Sequence, residues 1–186
     1  MLENNDRRVR RTKRMIRETL LDILKEKSIS KVSVSELCRK ADINRNTFYT
    51  HYKYPEEVLF ELEEEFLNQF QNLLNSLELK ENNNVLIIEI CKLIKKNPAF
   101  SYVLLNDNNE FLNRLIDLCH DRNIYDWQRI SDYTDNETAE NFYRFTLSGT
   151  TAIIKNWCRK GFKESPEELV DFITKLSLYG MNGFVK

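Results

Sequence analysis

The feature that most restricts this chain is the near absence of residues that break a helix. Only 4 glycines and 3 prolines occur in 186 residues, too few for the many tight turns of a sandwich or barrel. The stretches between them carry apolar side chains at helical spacing. Ile16, Leu20, Ile23 and Leu24 recur at i, i+4, i+7 and i+8, one face of a helix expected from about Val9 to Lys25. Leu59, Leu62, Phe66, Phe70, Leu73 and Leu77 make a longer stripe behind Pro55-Glu56-Glu57. There, proline in the first turn and two acids suit the positive end of the helix dipole. With 41% hydrophobic and 31% charged residues, the chain can bury a core beneath amphipathic helices. The pattern predicts an all-α fold of about nine helices without a strand.

Further along, the polar run from Lys80 to Asn84 reads as a loop. Helices are expected over about Val85 to Lys96, from Asn97-Pro98 to the break at Asn106 to Asn109, and over about Glu110 to Ile130. Another should run from Asn136 to Lys160, stopped by Gly161. Ser165-Pro166-Glu167-Glu168 starts the last with a Ser-x-x-Glu box and proline at its first position. No segment approaches the roughly 18 apolar residues of a membrane span, and no leader peptide is evident, so a cytoplasmic location is expected. Cys38, Cys91, Cys119 and Cys158 are scattered and lack metal-ligand spacing, which reads as structural thiols with no metal. Neither a cofactor motif nor a paired Glu-x-x-His motif is present, and the two histidines do not make a catalytic set. An enzyme is not expected.

Charge divides the chain unevenly. Residues 1–53 carry 14 Lys and Arg against 7 Asp and Glu, while the remaining 133 carry 14 against 22. A basic head on an acidic body suits a polyanion at one end only.

Within the head lie two short helices with clear starts. Ser33-Val34-Ser35-Glu36 fits a capping box, and Val32 and Leu37 fall where a hydrophobic staple would place them. That helix should end near Ala41. Asn44 caps the next, with Ile43 able to staple onto Phe48. Phe48 and Tyr52 would face inward, whereas Arg45, Asn46, Tyr49, Thr50 and Lys53 hold no aliphatic side chain and should face out.

Two such helices joined through Ala41-Asp42-Ile43, behind a longer one, make a helix-turn-helix spanning residues 33–52. The second short helix of that motif enters the major groove. Arg45 and Asn46 suit base edges, guanine and adenine respectively. Tyr49, Lys53 and the hydroxyls of Ser33, Ser35 and Thr47 suit phosphates, with Thr50 and His51 on the same surface. Arg10 and Arg14, in the basic run before and within the first helix, are candidates for phosphate or minor-groove contact.

The run from Val34 to Tyr52, and above all Thr47-Phe48-Tyr49-Thr50-His51-Tyr52, resembles the signature of the TetR (tetracycline-repressor) family, whose usual form is T-F-Y-x-H-F. The resemblance is specific over about residues 9–65. It implies a three-helix, homeodomain-like DNA-binding head, a helical ligand-sensing body, and a homodimer formed largely by the last two helices. The head is expected over residues 1–56 and the body over 57–186. Two departures stand out. Asp42 replaces the usual turn glycine, and Pro55 stands where the family commonly has a phosphate-contacting lysine, a place Lys53 would have to fill. The body, with Phe142 to Trp157, Gly161 and the Ser165-Pro166 start, also resembles a Firmicutes subgroup of dihydroxyacetone-kinase regulators, which includes activators as well as repressors.

For the dimer the candidate residues are Phe145, Gly149, Ile153 and Trp157 on one helix and Leu169, Phe172, Ile173 and Leu176 on the last. Paired across a two-fold axis they would form a four-helix bundle suited to a palindromic operator. Phe100, Tyr102, Phe111, Trp127 and Tyr143 would line a site for a small-molecule effector, or else are ordinary core aromatics. The expected function is a sequence-specific regulator, repression being the expected mode. The alternative is a protein-interaction co-regulator that keeps the fold and binds no DNA of its own.

Overall fold

The computed structural model describes residues 2–76, 83–106, 110–119 and 136–180, and these are helical with short connections. In chain order the helices are α1 (Leu2–Leu24), α2 (Val34–Lys40), α3 (Arg45–Tyr49), α4 (Pro55–Ser76), α5 (Asn83–Lys96), α6 (Pro98–Asn106), α7 (110–119), α8 (Asn136–Arg159) and α9 (Pro166–Tyr179). A single 3-10 turn, Ile29–Lys31, lies between α1 and α2. The fold is all-α, and among the described residues no helix is long and apolar enough to cross a membrane.

The chain divides into two compact units, Met1–Gln69 and Phe70–Lys186, and the division falls inside α4. In the first, Ile16, Leu20 and Ile23 of α1 meet Leu37 and Cys38 of α2, Phe48 of α3, Tyr52, and Val58 of α4 in one core. Helix α1 begins at Leu2, seven positions before the expected start at about Val9. Nothing in the sequence from Leu2 to Arg8 breaks a helix.

Local capping explains where the short helices start and stop. The Ser33 hydroxyl accepts the Glu36 amide at 3.2 Å, and Asn44 Oδ1 accepts the Asn46 amide at 2.9 Å. The expected capping box at Ser33 is only half made. The Glu36 carboxylate receives Lys27 Nζ at 2.5 Å, a stronger partner than the Ser33 backbone amide because it is charged. At Ser165 the box is complete, with bonds of 2.8 and 3.1 Å in the two directions.

Helix α2 ends in a Schellman motif, the Ile43 amide reaching the Cys38 carbonyl at 3.0 Å. The motif puts Asp42 at φ 52°, the left-handed position that glycine usually fills. Asp42→Gly should therefore stabilise the head by about 1 kcal/mol, the cost of that conformation for a residue with a Cβ. Urea unfolding of the two proteins measures it. A destabilised variant would mean that the Asp42 side chain itself holds the turn.

In the second unit α5 packs against α9 and α6 against α8, with α5 also touching α6 and α8 touching α9. Thr174 donates to Asn84 Oδ1 at 3.0 Å across the α5–α9 contact. Gly161, at φ 75°, ends α8 as expected, and Phe162 follows it, also in the left-handed region. The Phe162 ring stands edge-on to Trp157 with centroids 4.9 Å apart. Cys91 is buried here, which pushes its thiol up to about 12; Cys38 and Cys158 are raised in the same direction, chiefly by burial. These three behave as small apolar side chains.

Candidate nucleic-acid interface

Helix α3 is five residues long and could not hold its shape alone. It persists because Phe48 is wholly buried, at 0% exposure, while its neighbour Tyr49 is 56% exposed. The ring of Phe48 lies 5.8 Å from that of Tyr52, which is also buried. With the inner side so anchored, Arg45, Asn46, Tyr49 and Thr50 are left exposed, and Thr47 and His51 are half-buried. Thr50 donates its hydroxyl to the Thr47 carbonyl at 2.7 Å, which leaves no proton on it for a phosphate oxygen.

Between α2 and α3 runs a cleft of about 470 Å³ lined by Ser33, Ser35, Glu36, Cys38, Arg39, Ile43 and Arg45. It gathers three of the expected contact residues, Ser33, Ser35 and Arg45, into one concave surface. Arg39 joins them, a residue that the sequence argument passed over. Its signal was present: Ser35 and Arg39 are four apart on a helix and so share a face. Lys53 is exposed. Its backbone amide donates to Glu57 at 2.6 Å, which fixes the chain just past α3 and leaves the ammonium outside. Pro55 is buried at the start of α4.

On α1, Arg10 and Arg14 are exposed. Arg14 approaches Glu18 at 3.7 Å, both side chains being well solvated, and such a pair holds its arginine only weakly. Lys13 and Arg17 are committed elsewhere, to Glu61 at 2.8 and 3.1 Å. Burial would raise the Glu61 carboxyl, but the bonds from Lys13 and Tyr52 and the charges of Arg17 and Lys13 outweigh it. The group is held below the usual carboxylate range. Among the described residues no group of three or more His, Cys, Asp or Glu is arranged to hold a metal.

The residues expected at a dimer contact separate into two sets. Phe145 and Phe172 are exposed, Gly149 is exposed, and Ile153 and Leu176 are half-buried. Trp157, Leu169 and Ile173 are instead buried within their own protomer, and the Trp157 indole donates to the Glu164 carbonyl at 3.0 Å. The side chains of these three pack within the single chain, at the α8–α9 corner and the core beside it. Phe142, Leu178 and Tyr179 join the exposed set.

Of the aromatics expected around an effector, Phe100, Phe111 and Tyr143 are buried, and Phe100 meets Phe111 edge-on at 6.2 Å. Tyr102 is half-buried. Trp127 lies outside the described residues.

A TetR family model, described as "Transcriptional regulator C-terminal region", matches residues 81–179, more than half of the chain. Over 172 residues the chain is 26% identical to the HTH-type dhaKLM operon transcriptional activator DhaS of Lactococcus lactis, covering 90% of this chain and 89% of that protein. Over 55 residues, 29% of the chain, it is 44% identical to YxbF of Bacillus subtilis, an uncharacterized HTH-type transcriptional regulator; the match spans only 14% of that protein's length. Among solved structures, a TetR transcriptional regulator from Streptococcus agalactiae superposes with a TM-score of 0.58 at 24% identity, over 95% of this chain and 99% of that one. At that identity the likeness speaks for the fold alone.

Proposed function

The chain belongs to the TetR family of transcriptional regulators, and from that premise we propose that it acts as a homodimer that reads a palindromic operator with α3. One observation carries the reading: α3 buries its phenyl ring and turns its guanidinium, amide and phenol groups to solvent. A helix anchored by its buried aromatic in this way presents Arg45 and Asn46 where they can meet base edges. Arg39, Ser33, Ser35 and Lys53 surround it with phosphate partners, and Arg10 and Arg14 extend the basic surface along α1.

The exposed face of α8 and α9 supports the dimer. Phe142, Phe145, Gly149 and Ala152 follow one another at i, i+3, i+7 and i+10, and all four are exposed. A Cβ added at Gly149 would meet nothing within 4 Å, so the protomer's own packing does not require a glycine there. In a helix interior glycine costs about 0.5–1 kcal/mol against alanine. A second helix approaching closely across that face accounts for the expense. For an effector, the reading nominates the aromatic core of Phe100, Phe111 and Tyr143 as the place that opens.

The family premise does not decide the sign of control, since the Lactococcus relative is named an activator. A reporter fused to the bound promoter reads it. Binding itself is tested by selecting fragments of the source genome with the purified protein, then comparing variants on the recovered duplex. Arg45→Ala should cost about 1–3 kcal/mol per half-site and relax the preference at one base pair. Lys53→Ala should weaken all duplexes alike and lower the salt dependence by about one ion per protomer. Failure of the wild-type protein to retain any fragment at low salt would abolish this reading in favour of a co-regulator that works through protein contacts.

A further inference from the structure

Glu61 stands on the second turn of α4, where α1, α4 and the residue that ends the helix-turn-helix converge. Both of its oxygens are engaged. Oε1 takes Lys13 Nζ at 2.8 Å and Arg17 Nη2 at 3.1 Å, and Oε2 accepts the phenol of Tyr52. Arg17 also forks onto Glu65 through two bonds of 2.6 and 3.0 Å. The Lys13 ammonium sits 5.1 Å from the centroid of the Tyr52 ring, and that ring also meets Phe48, the anchor of α3. Two cations, two carboxylates and one phenol thus form a single assembly between the helix that reads and the two helices that carry it.

That assembly contributes no net charge. Lys13 and Arg17 are balanced by Glu61 and Glu65, so it adds nothing to the attraction for a polyanion, and it withdraws two cations from an otherwise basic helix. Nor is it a set of loose surface pairs: the Lys13 and Glu61 side chains are 31% exposed and Arg17 is 23% exposed. Ion pairs so placed contribute little net stability compared with well-packed apolar residues. They are directional, however, and a fork and a phenol bond hold helices in one register where apolar contacts would allow several.

We infer that Glu61 is a positioning residue for operator recognition, fixing α3 through Tyr52 against α1 and α4. The inference rests on the DNA-binding reading above, and it makes an opposite forecast from simple electrostatics. Removing an acid from a basic head, and freeing Lys13 and Arg17, should tighten DNA binding if charge were all that mattered. Loss of position should weaken binding to the right sequence only.

The experiment uses the full chain, the duplex recovered in the genomic selection, and a scrambled duplex of equal length, each titrated over a salt series. Glu61→Gln should lower affinity for the recovered duplex by about tenfold and leave the scrambled duplex bound as well as before or better. Tyr52→Phe, which keeps the ring in the core, should shift the same ratio in the same direction by less. A Glu61→Gln protein that binds the recovered duplex as tightly as wild type, or more tightly, overturns the inference. So does an equal loss on both duplexes, which would mark a merely structural group. Should Glu61→Gln fail to fold, Tyr52→Phe decides: an unchanged ratio overturns the inference. A wild-type protein that does not distinguish the two duplexes defeats the DNA-binding reading itself, an outcome separable from every other.

Discussion

Phe145→Glu is expected to leave each protomer folded, turn the dimer into a monomer, and reduce operator affinity by about two orders of magnitude or more. The first part follows from exposure. Phe145 is 78% exposed on α8, so its ring supports nothing inside the protomer, and surface changes of this kind alter stability by only about ±0.5 kcal/mol. The second part follows from symmetry. In an isologous contact the substitution appears twice near the same axis, so each new carboxylate meets an apolar surface and its own copy. Desolvated like charges cost several kcal/mol. The third part is a matter of effective concentration. Two heads on one dimer bind the second half-site as an intramolecular event, and separate heads do not. Light scattering gives the mass, and mobility of a labelled operator gives the affinity. A Phe145→Glu protein that is still dimeric would rule this face out as the interface.

Trp157 makes the contrast. It lies at the same helical spacing from Phe142, Phe145, Gly149 and Ile153, so the dimer that the family resemblance implies takes it into the same contact. Its 2% exposure and the indole bond to Glu164 show a side chain used within the protomer. Periodicity says which residues share a broad face; it does not say where along that face the chain covers itself. Here the turn after Gly161 folds Phe162 and Glu164 back over the last turn of α8 and takes Trp157 inward. Leu169 and Ile173 follow for the same reason, since α9 lies against α5. The apolar part of α9 is wider than its buried part, and Phe172, Leu176, Leu178 and Tyr179 are left at or near the surface.

The division of α3 into a buried and an exposed side was legible for a converse reason. Ser33, Asn44 and Phe48 act within a few residues of themselves, through caps and a one-turn anchor, and local devices can be read from local sequence. The network around Glu61 could not be, because its partners on α1 and α4 are 48 positions apart. Five consecutive residues from Glu61 to Glu65 contain four acids, which by itself describes a solvated helix face. Only the meeting of α4 with α1 shows that two of them answer Lys13 and Arg17. Arg39 was missed more cheaply. It lies on the exposed side of α2, one turn beyond Ser35, and Ser35 already pointed to that face.

The second large effect is expected at Phe48, and it separates the anchor from the surface it supports. Phe48→Ala removes a ring with no exposed area from among Ile16, Leu20, Leu37, Cys38 and Val58. Changes of this type cost about 3–5 kcal/mol, the lost transfer free energy plus the cavity left behind. A unit of under 70 residues holds only the lower part of the usual 5–15 kcal/mol of domain stability, so about that much is most of what the head has. Helix α3 is five residues long, and the Asn44 cap is too small a support for so short a helix once its buried ring is gone. Operator binding should therefore vanish while the helices of the second unit, whose core contains none of these residues, keep their circular dichroism and their oligomeric mass. Phe60→Ala serves as the comparison, because that ring is 59% exposed on the neighbouring helix and its loss should leave binding within about threefold. If Phe48→Ala binds the operator normally, α3 does not owe its position to the buried ring, and the division of that helix into an anchoring side and a reading side is wrong.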